Sequence, residues 1–79
     1  MRILFFGQTK DVAGAPEMEI KIPSPVDADE IWTKISAAHP KLAAFRKNTR
    51  LARNGEYASA NMQFDDADEV ALIPPVSGG

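Results

Sequence analysis

Apolar and polar positions near the start of the chain predict two β-strands. The run Ile3-Leu4-Phe5-Phe6 places apolar side chains on both faces of a strand, which is typical of a central strand covered on both sides. After a loop from Gly7 to Pro16, the apolar residues Met18, Ile20 and Ile22 alternate with charged ones. We therefore expect a half-buried second strand that pairs with the first as its hairpin partner.

The middle of the chain has the pattern of an amphipathic helix. Asp27, followed three residues later by Glu30, resembles a capping box, and acidic residues in a first turn favour the positive end of a helix. Apolar residues then recur at helical spacing: Ile31, Trp32, Ile35 and Ala38. Pro40 predicts the end of this helix. Residues 40–45 are expected to form a further turn or two, with Leu42 and Phe45 pointing inward.

Three short strands are predicted in the last third of the chain. Leu51-Ala52-Arg53 and Glu56-Tyr57-Ala58 flank Asn54-Gly55, a pair that accepts the positive φ angles of a type I′ hairpin turn. A polar turn at residues 65–68 precedes Val70-Ala71-Leu72-Ile73, and two prolines end that last strand. By alternation Val70 and Leu72 should point into the core, while Ala71 and Ile73 point outward.

The fold class that buries these faces economically is α+β, with a small mixed sheet wrapped around one main helix. This arrangement is the β-grasp. A chain of 79 residues has room for one domain, which we expect over residues 1–73. Residues 74–79, called the tail below, are expected to protrude from it as a flexible C-terminal segment.

Composition removes several classes of function. The chain has no Cys, which excludes disulfides, a thiolate nucleophile and cysteine metal sites. A net charge of -2 with scattered Lys and Arg offers no footprint for nucleic acid. No apolar run is long enough to span a membrane and no secretion signal is seen, so we expect a cytoplasmic protein without membrane contact.

The usual parts of an enzyme site are missing from the pattern. His39 is the only histidine, and it precedes Pro40 at a predicted helix end, where a surface role is expected. The acidic residues 65–69 lack the spacing and the Gly of a calcium loop, and Gly7-Gln8-Thr9-Lys10 lacks the second Gly of a phosphate loop. We expect no metal, no cofactor and no catalysis by the chain alone.

The tail is the most unusual feature of the sequence. A frayed end is one interpretation of Pro74-Pro75-Val76-Ser77-Gly78-Gly79. Against it, the prolines fix φ and favour an extended segment, and four further residues reach about 13 Å at ~3.3 Å each. Gly78 and Gly79 have no Cβ, so a narrow channel in a partner could admit them. The carboxylate of Gly79, with a pKa of about 3.5, is an anion that needs activation, for example as an anhydride with AMP.

Several motifs together resemble the small, sulfur-carrying subunit of molybdopterin synthase, a family of ubiquitin-like β-grasp proteins. The resemblance spans nearly the whole chain and rests on four segments: Leu4-Phe5-Phe6-Gly7-Gln8, Leu51-Ala52-Arg53-Asn54, Asp66-Ala67-Asp68-Glu69-Val70-Ala71 and Pro74-Pro75-Val76-Ser77-Gly78-Gly79. Two positions depart from the family pattern: Ala67 stands where Gly is usual, and Thr9-Lys10-Asp11 replaces a more usual Arg-Glu pair.

The resemblance implies a role and partners. A ubiquitin-activating-type enzyme would adenylate Gly79 with ATP, and a sulfur-donating enzyme would supply the sulfur of a C-terminal thiocarboxylate. The large synthase subunit would hold the catalytic site and would contact Ala71, Ile73, Pro74, Pro75, Val76 and Ser77. There the thiocarboxylate would donate sulfur to cyclic pyranopterin monophosphate, in a heterodimer or heterotetramer. A sulfur carrier for thiazole or another sulfur metabolite, and a ubiquitin-like modifier of lysines, remain as alternatives.

Overall fold

The computed structural model describes residues 1–75; Val76, Ser77, Gly78 and Gly79 lie outside the described residues. Its strands are β1 (Arg2–Phe5), β2 (Glu17–Glu19), β3 (Arg50–Arg53), β4 (Glu56–Tyr57) and β5 (Glu69–Ile73). Two α-helices, α1 (Gly7–Ala13) and α2 (Ala28–Ala38), and one 3₁₀ helix, Pro40–Asn48, complete the described chain.

The strands form one mixed sheet in the order β2-β1-β5-β3-β4. β1 runs parallel to β5 and antiparallel to β2, and β3 is antiparallel to both β5 and β4. The second strand is therefore the antiparallel partner of the first, as expected, but it ends at Glu19, so Ile20 and Ile22 lie beyond it. The first strand is an inner strand, while the sheet centre is β5. This mixed sheet with one main helix confirms the β-grasp arrangement.

The main helix begins and ends where its capping signals indicate. The Asp27 carboxylate accepts a hydrogen bond from the backbone N–H of Glu30 (3.0 Å), which satisfies one free donor of the first turn. Ile31 and Ile35 are fully buried and Trp32 is nearly so, whereas Ala38 is exposed, so the apolar stripe ends one turn earlier than predicted. The helix stops at Ala38, just before Pro40. The further turns after Pro40 are 3₁₀, with Leu42 buried and Phe45 packed against the core.

One side of the sheet forms the core with α2. The buried apolar residues are Met1, Ile3, Phe5, Ile22, Val26, Ile31, Trp32, Ile35, Leu42, Leu51, Phe64, Val70 and Leu72. Val70 and Leu72 are both fully buried, so the predicted alternation along β5 is confirmed. The expectation that β1 is covered on both sides is wrong, because Ile3 and Phe5 are buried while Leu4 is only half-buried and Phe6 is exposed.

The segment expected to be a loop, Gly7 to Pro16, contains helix α1 instead. Thr9 fixes its first turn: the Thr9 hydroxyl accepts a hydrogen bond from the Phe6 N–H (3.2 Å) and donates one to the Phe6 carbonyl (2.6 Å). Gly14 ends the helix in the left-handed conformation (φ 74°), and its N–H donates to the Lys10 carbonyl. Thr9, part of the departure from the family pattern, therefore serves as a local cap.

Both predicted turns of the last third are present. Asn54 (φ 50°) and Gly55 (φ 90°) both have positive φ, as a type I′ turn between β3 and β4 requires. In the turn before β5 the Asp68 N–H donates to the Asp65 carbonyl (2.9 Å). Ala67 lies in this turn without a positive φ, so no glycine is needed there.

Candidate functional site

The side of the sheet that faces away from α2 carries a continuous row of apolar side chains. The strand registers place Leu4 beside Ala71, Ala71 beside Ala52, and Ala52 beside Tyr57. Two residues further along, Phe6 follows the end of β1 and Ile73 ends β5. We call the surface formed by Leu4, Phe6, Ala52, Tyr57, Ala71 and Ile73 the open face.

The shape of the open face follows from side-chain size. Its middle positions, Ala52 and Ala71, are small, while larger side chains flank them, so the surface forms a depression of about 390 Å³. Phe6 is 47% exposed and Tyr57 is 56% exposed, which makes them the large apolar side chains most accessible on the described chain. An apolar concave patch on a small domain is typical of a protein-binding surface.

Charged groups border this apolar surface. The Arg2 guanidinium contacts Glu17 on β2 (2.5 Å) and Glu69 on β5 (3.2 Å). The hydrogen bond and charge of Glu17, with a smaller effect of Glu69, raise the pKa of Arg2 above its usual value. On the other side the Arg50 guanidinium lies over the Tyr57 ring, 4.1 Å from its centroid. The open face thus has an apolar middle and a charged rim, the composition of many protein interfaces.

The tail begins at one corner of the open face. Because β1 and β5 are parallel, both strands end on the same side of the sheet, where Pro74 is half-buried and Pro75 is exposed. Pro74 and Pro75 line a groove of about 310 Å³ together with Gly7 and Gln8. Pro74 and Pro75 therefore lie at the edge of the sheet where the open face ends with Ile73.

The structure brings together four of the predicted site residues. Ala71 and Ile73 lie on the open face, and Pro74 and Pro75 follow directly from it. The other four, Val76, Ser77, Gly78 and Gly79, lie outside the described residues. Sequence reasoning missed the contribution of Leu4, Phe6, Ala52 and Tyr57. The signal was present in the fully apolar run of β1, which was interpreted as a strand covered on both sides instead of one with an uncovered apolar face.

Residues 1–75 were also compared with the requirements of a metal site, a membrane-spanning helix and a catalytic histidine. No group of three or more His, Cys, Asp or Glu side chains in that range is arranged to hold a metal ion. Among the helices of the same range, none is long and apolar enough to cross a membrane. The His39 ring packs edge-on against Phe5, with 5.9 Å between the ring centroids. This histidine contributes to packing at the end of α2.

The five-stranded mixed sheet around one main helix defines a ubiquitin-like β-grasp protein. More particularly, the chain belongs to the ThiS family, whose model matches residues 3–79.

The similar proteins include molybdopterin synthase subunits and archaeal modifier proteins. The chain is 35% identical to a molybdopterin synthase sulfur carrier subunit of Chlamydomonas reinhardtii over 100% of this chain and 98% of the relative. It is similar in structure to small archaeal modifier protein 1 of Haloferax volcanii, with a TM-score of 0.84, 26% identity and coverage of 96% and 97% of the two chains. It is also similar to a chain in the complex of subunits 1 and 2 of molybdopterin-converting factor from Helicobacter pylori, with a TM-score of 0.67, 25% identity and coverage of 99% and 96%.

Proposed function

We propose that this chain is the sulfur carrier of a molybdopterin synthase, and that it delivers sulfur as a thiocarboxylate at Gly79. The observation that carries the proposal is the full-length similarity to relatives named molybdopterin synthase sulfur carrier subunit. The family match reaches Gly79 itself, so the similarity includes the tail as well as the domain. The folded part, residues 1–73, then serves to present residues 74–79 to other proteins.

The chemistry at Gly79 follows from the low reactivity of a carboxylate. A carboxylate oxygen attacks the α-phosphorus of ATP on an adenylating enzyme of the ubiquitin-activating type, and pyrophosphate leaves. Hydrosulfide released by a sulfur-donating enzyme then attacks the acyl carbon, AMP leaves as the C–O bond to its phosphate breaks, and loss of the sulfur-bound proton leaves a C-terminal thiocarboxylate. The thiocarboxylate sulfur forms a C–S bond with a side-chain carbon of the pterin precursor, cyclic pyranopterin monophosphate, while a C–O bond of that carbon breaks and the oxygen leaves. Water then hydrolyses the resulting thioester, which returns the Gly79 carboxylate and leaves the sulfur on the pterin. Two such deliveries supply the two sulfurs of the dithiolene.

The partner surface in this scheme is the open face together with the tail. A complex of subunits 1 and 2 of molybdopterin-converting factor, found among the similar structures, supports a large subunit as the partner. Apolar contact through Phe6, Tyr57 and Ile73 would supply affinity, and the charged rim around Arg2 would set orientation. Binding energy gained at this face holds the tail at the active site of the large subunit, where the catalytic groups lie.

A direct test uses the protein with its own synthase subunit. The chain is incubated with the adenylating enzyme, ATP and a sulfur source, and intact-protein mass spectrometry should show one oxygen-for-sulfur exchange confined to Gly79. The thiocarboxylate form, mixed with the large subunit and the pterin precursor, should lose its sulfur stoichiometrically, while the carboxylate form should transfer none. A thiocarboxylate that persists with the pterin but is consumed in thiazole synthesis would contradict the proposal.

A second function is favoured by one observation. The similarity to small archaeal modifier protein 1, at a TM-score of 0.84, supports a role as a modifier that forms amide bonds between Gly79 and lysines. The same acyl-adenylate would serve both roles, with an amine in place of sulfur as the nucleophile. Gel-shifted conjugates that require both ATP and Gly79, with a glycine-modified lysine identified by peptide mass spectrometry, would establish this role.

A further inference from the structure

The junction between the folded domain and the tail contacts the turn between β1 and α1. Register pairs Phe5 with Leu72 in the parallel β1–β5 ladder, so Gly7 and Pro74 emerge beside each other at the same end. Pro74 is half-buried there, although it lies beyond the last strand. The start of the tail is therefore seated against the β1–α1 turn.

Gly7 permits this close seating. It has a positive φ of 56°, and a Cβ built on it would lie 3.0 Å from Cγ of Pro74. A separation of 3.0 Å is tighter than nine in ten real Cβ contacts, so a side chain at residue 7 would require the Pro74 ring to give way by a few tenths of an ångström. Gly14 and Gly55 also have positive φ, yet a Cβ on either would meet nothing within 4 Å. The steric contact with the tail thus distinguishes Gly7 from these two turn glycines.

Thr9 makes the turn rigid. Its side chain is fully buried, and its hydroxyl hydrogen-bonds both the N–H and the carbonyl of Phe6, the residue before Gly7. The backbone that receives Pro74 is therefore fixed by side-chain hydrogen bonds as well as by the sheet. Pro74 and Pro75 have restricted φ, so an orientation set at the first ring is passed to the second.

We propose that the turn formed by Phe6, Gly7 and Thr9 is a positioning element that sets the orientation of Pro74 and Pro75, and thereby the direction in which the chain leaves the domain. This inference rests on the proposed function, because direction matters only if Gly79 must reach an active site in another protein. A misplacement of the reacting group by about 1 Å can lower the rate on the order of 100-fold, so a fixed position for Pro74, the first tail residue, would favour the reaction.

The test compares Gly7→Ala with Gly14→Ala in the full chain. Both variants place a Cβ at a positive φ, so both should lower the melting temperature, and Gly7→Ala should lower it further because its Cβ also contacts Pro74. The wild type should show nuclear Overhauser contacts between the Gly7 Hα and the Pro74 ring protons. Gly7→Ala should lose these contacts and change the residual dipolar couplings of the tail amides, while Gly14→Ala should retain the wild-type values.

Enzyme kinetics with the same two variants, Gly7→Ala and Gly14→Ala, test the functional consequence. In ATP–pyrophosphate exchange with the adenylating enzyme, Gly7→Ala should raise the KM for this protein about tenfold with little change in kcat. Gly14→Ala should leave both constants near wild type. In a Pro74→Ala background, Gly7→Ala should change the KM no more than Gly14→Ala does in the wild type, because the proline ring that its Cβ would contact is absent.

Two different failures can be told apart. A wild-type protein that supports no pyrophosphate exchange would overturn the proposed function. The nuclear Overhauser contacts and the residual dipolar couplings would still test whether the turn at Gly7 positions Pro74. If the wild type is active and Gly7→Ala matches Gly14→Ala in both couplings and KM, the positioning role is overturned.

Discussion

Asn54 and Asp68 join the β3–β4 turn to the turn before β5. The Asn54 side-chain amide donates to Oδ1 of Asp68 (3.0 Å), while Oδ2 of Asp68 accepts from the Asp65 N–H (2.9 Å). Asn54 also accepts from the Glu69 N–H through its side-chain oxygen (2.9 Å). These contacts fix where β5 begins, and β5 carries Ala71 and Ile73 to the open face.

Asp68→Asn should weaken the dependence of stability on acid pH. The N–H of Asp65, and secondarily the Asn54 side chain, lower the pKa of Asp68 below its ordinary value of 3.8. A lowered pKa contributes stability that is fully present above the unfolded-state pKa and is lost as the pH falls through the folded-state pKa. The fall in melting temperature between neutral pH and about pH 3 should therefore be smaller in the variant than in the wild type.

The lowered pKa of Asp66 gives the wild type a second acid-sensitive contact that this substitution leaves in place. The Ile22 N–H is the main cause of that shift, followed by the N-terminal ammonium. Some acid sensitivity should thus persist in Asp68→Asn. Asp11→Asn, an exposed change on α1, controls for the loss of one negative charge. Equal melting profiles for Asp68→Asn and wild type across the acid range would contradict the assignment.

Thr9→Val should destabilise the fold by about 1–2 kcal/mol, because it removes both partly buried hydrogen bonds between the hydroxyl and the Phe6 backbone, although the Phe6 carbonyl still accepts from the Thr9 N–H (3.2 Å). The shape of the side chain is preserved, so packing changes little. Urea denaturation gives the free energy of unfolding. Thr33→Val is the matched control, since Thr33 is exposed on α2 and a change within about 0.5 kcal/mol is expected there. Equal losses at the two positions would rule out a special role of Thr9 in the turn.

Much of the fold could be predicted because its signals are local. The Asp27 cap, the helical stripe through Ile31 and Ile35, and the Asn54-Gly55 turn each depend on residues close together in sequence. Alternation along β5 separated the buried Val70 and Leu72 from the outward Ala71 and Ile73 for the same reason.

The parts that sequence reasoning missed leave no periodic pattern in the sequence, because they are very short or depend on contacts between segments far apart in the chain. Phe64 is buried through a bridge to Val26, a pairing between irregular segments that leaves no periodic trace. Helix α1 spans seven residues, too few for a clear apolar period, and its cap uses a Thr at the third helical position. Whether an apolar run such as Leu4 to Phe6 is covered on its second side depends on which elements pack there, and none of the described helices covers it.

Ile73→Asp should weaken binding to the large synthase subunit while the domain stays folded. Ile73 is half-buried on the open face, and a carboxylate there would remove apolar contact and would have to be desolvated in the complex. We expect a loss of about 2 kcal/mol or more, roughly a 30-fold rise in Kd by calorimetry. Leu72→Ala, a change one residue away in the core, should instead reduce the free energy of unfolding by about 2–5 kcal/mol. An unchanged Kd for Ile73→Asp would show that the partner binds elsewhere.

Removal of Gly78 and Gly79 should abolish sulfur transfer and leave stability unchanged. Within residues 1–75 the buried core extends from Met1 to Leu72, and a glycine has no side chain to bury, so we expect no loss of stability. The melting temperature and circular dichroism spectrum of the truncated chain should match those of the wild type, and its affinity for the large subunit should be retained in part through the open face. No thiocarboxylate should form at the new C-terminus, Ser77, because its side chain would have to enter a channel suited to glycine.

Extension of the chain by one alanine after Gly79 is the complementary variant, since it keeps both glycines but moves the carboxylate, and it should be equally inactive. Cofactor synthesis supported by either variant would show that the Gly79 carboxylate is not the group that carries sulfur.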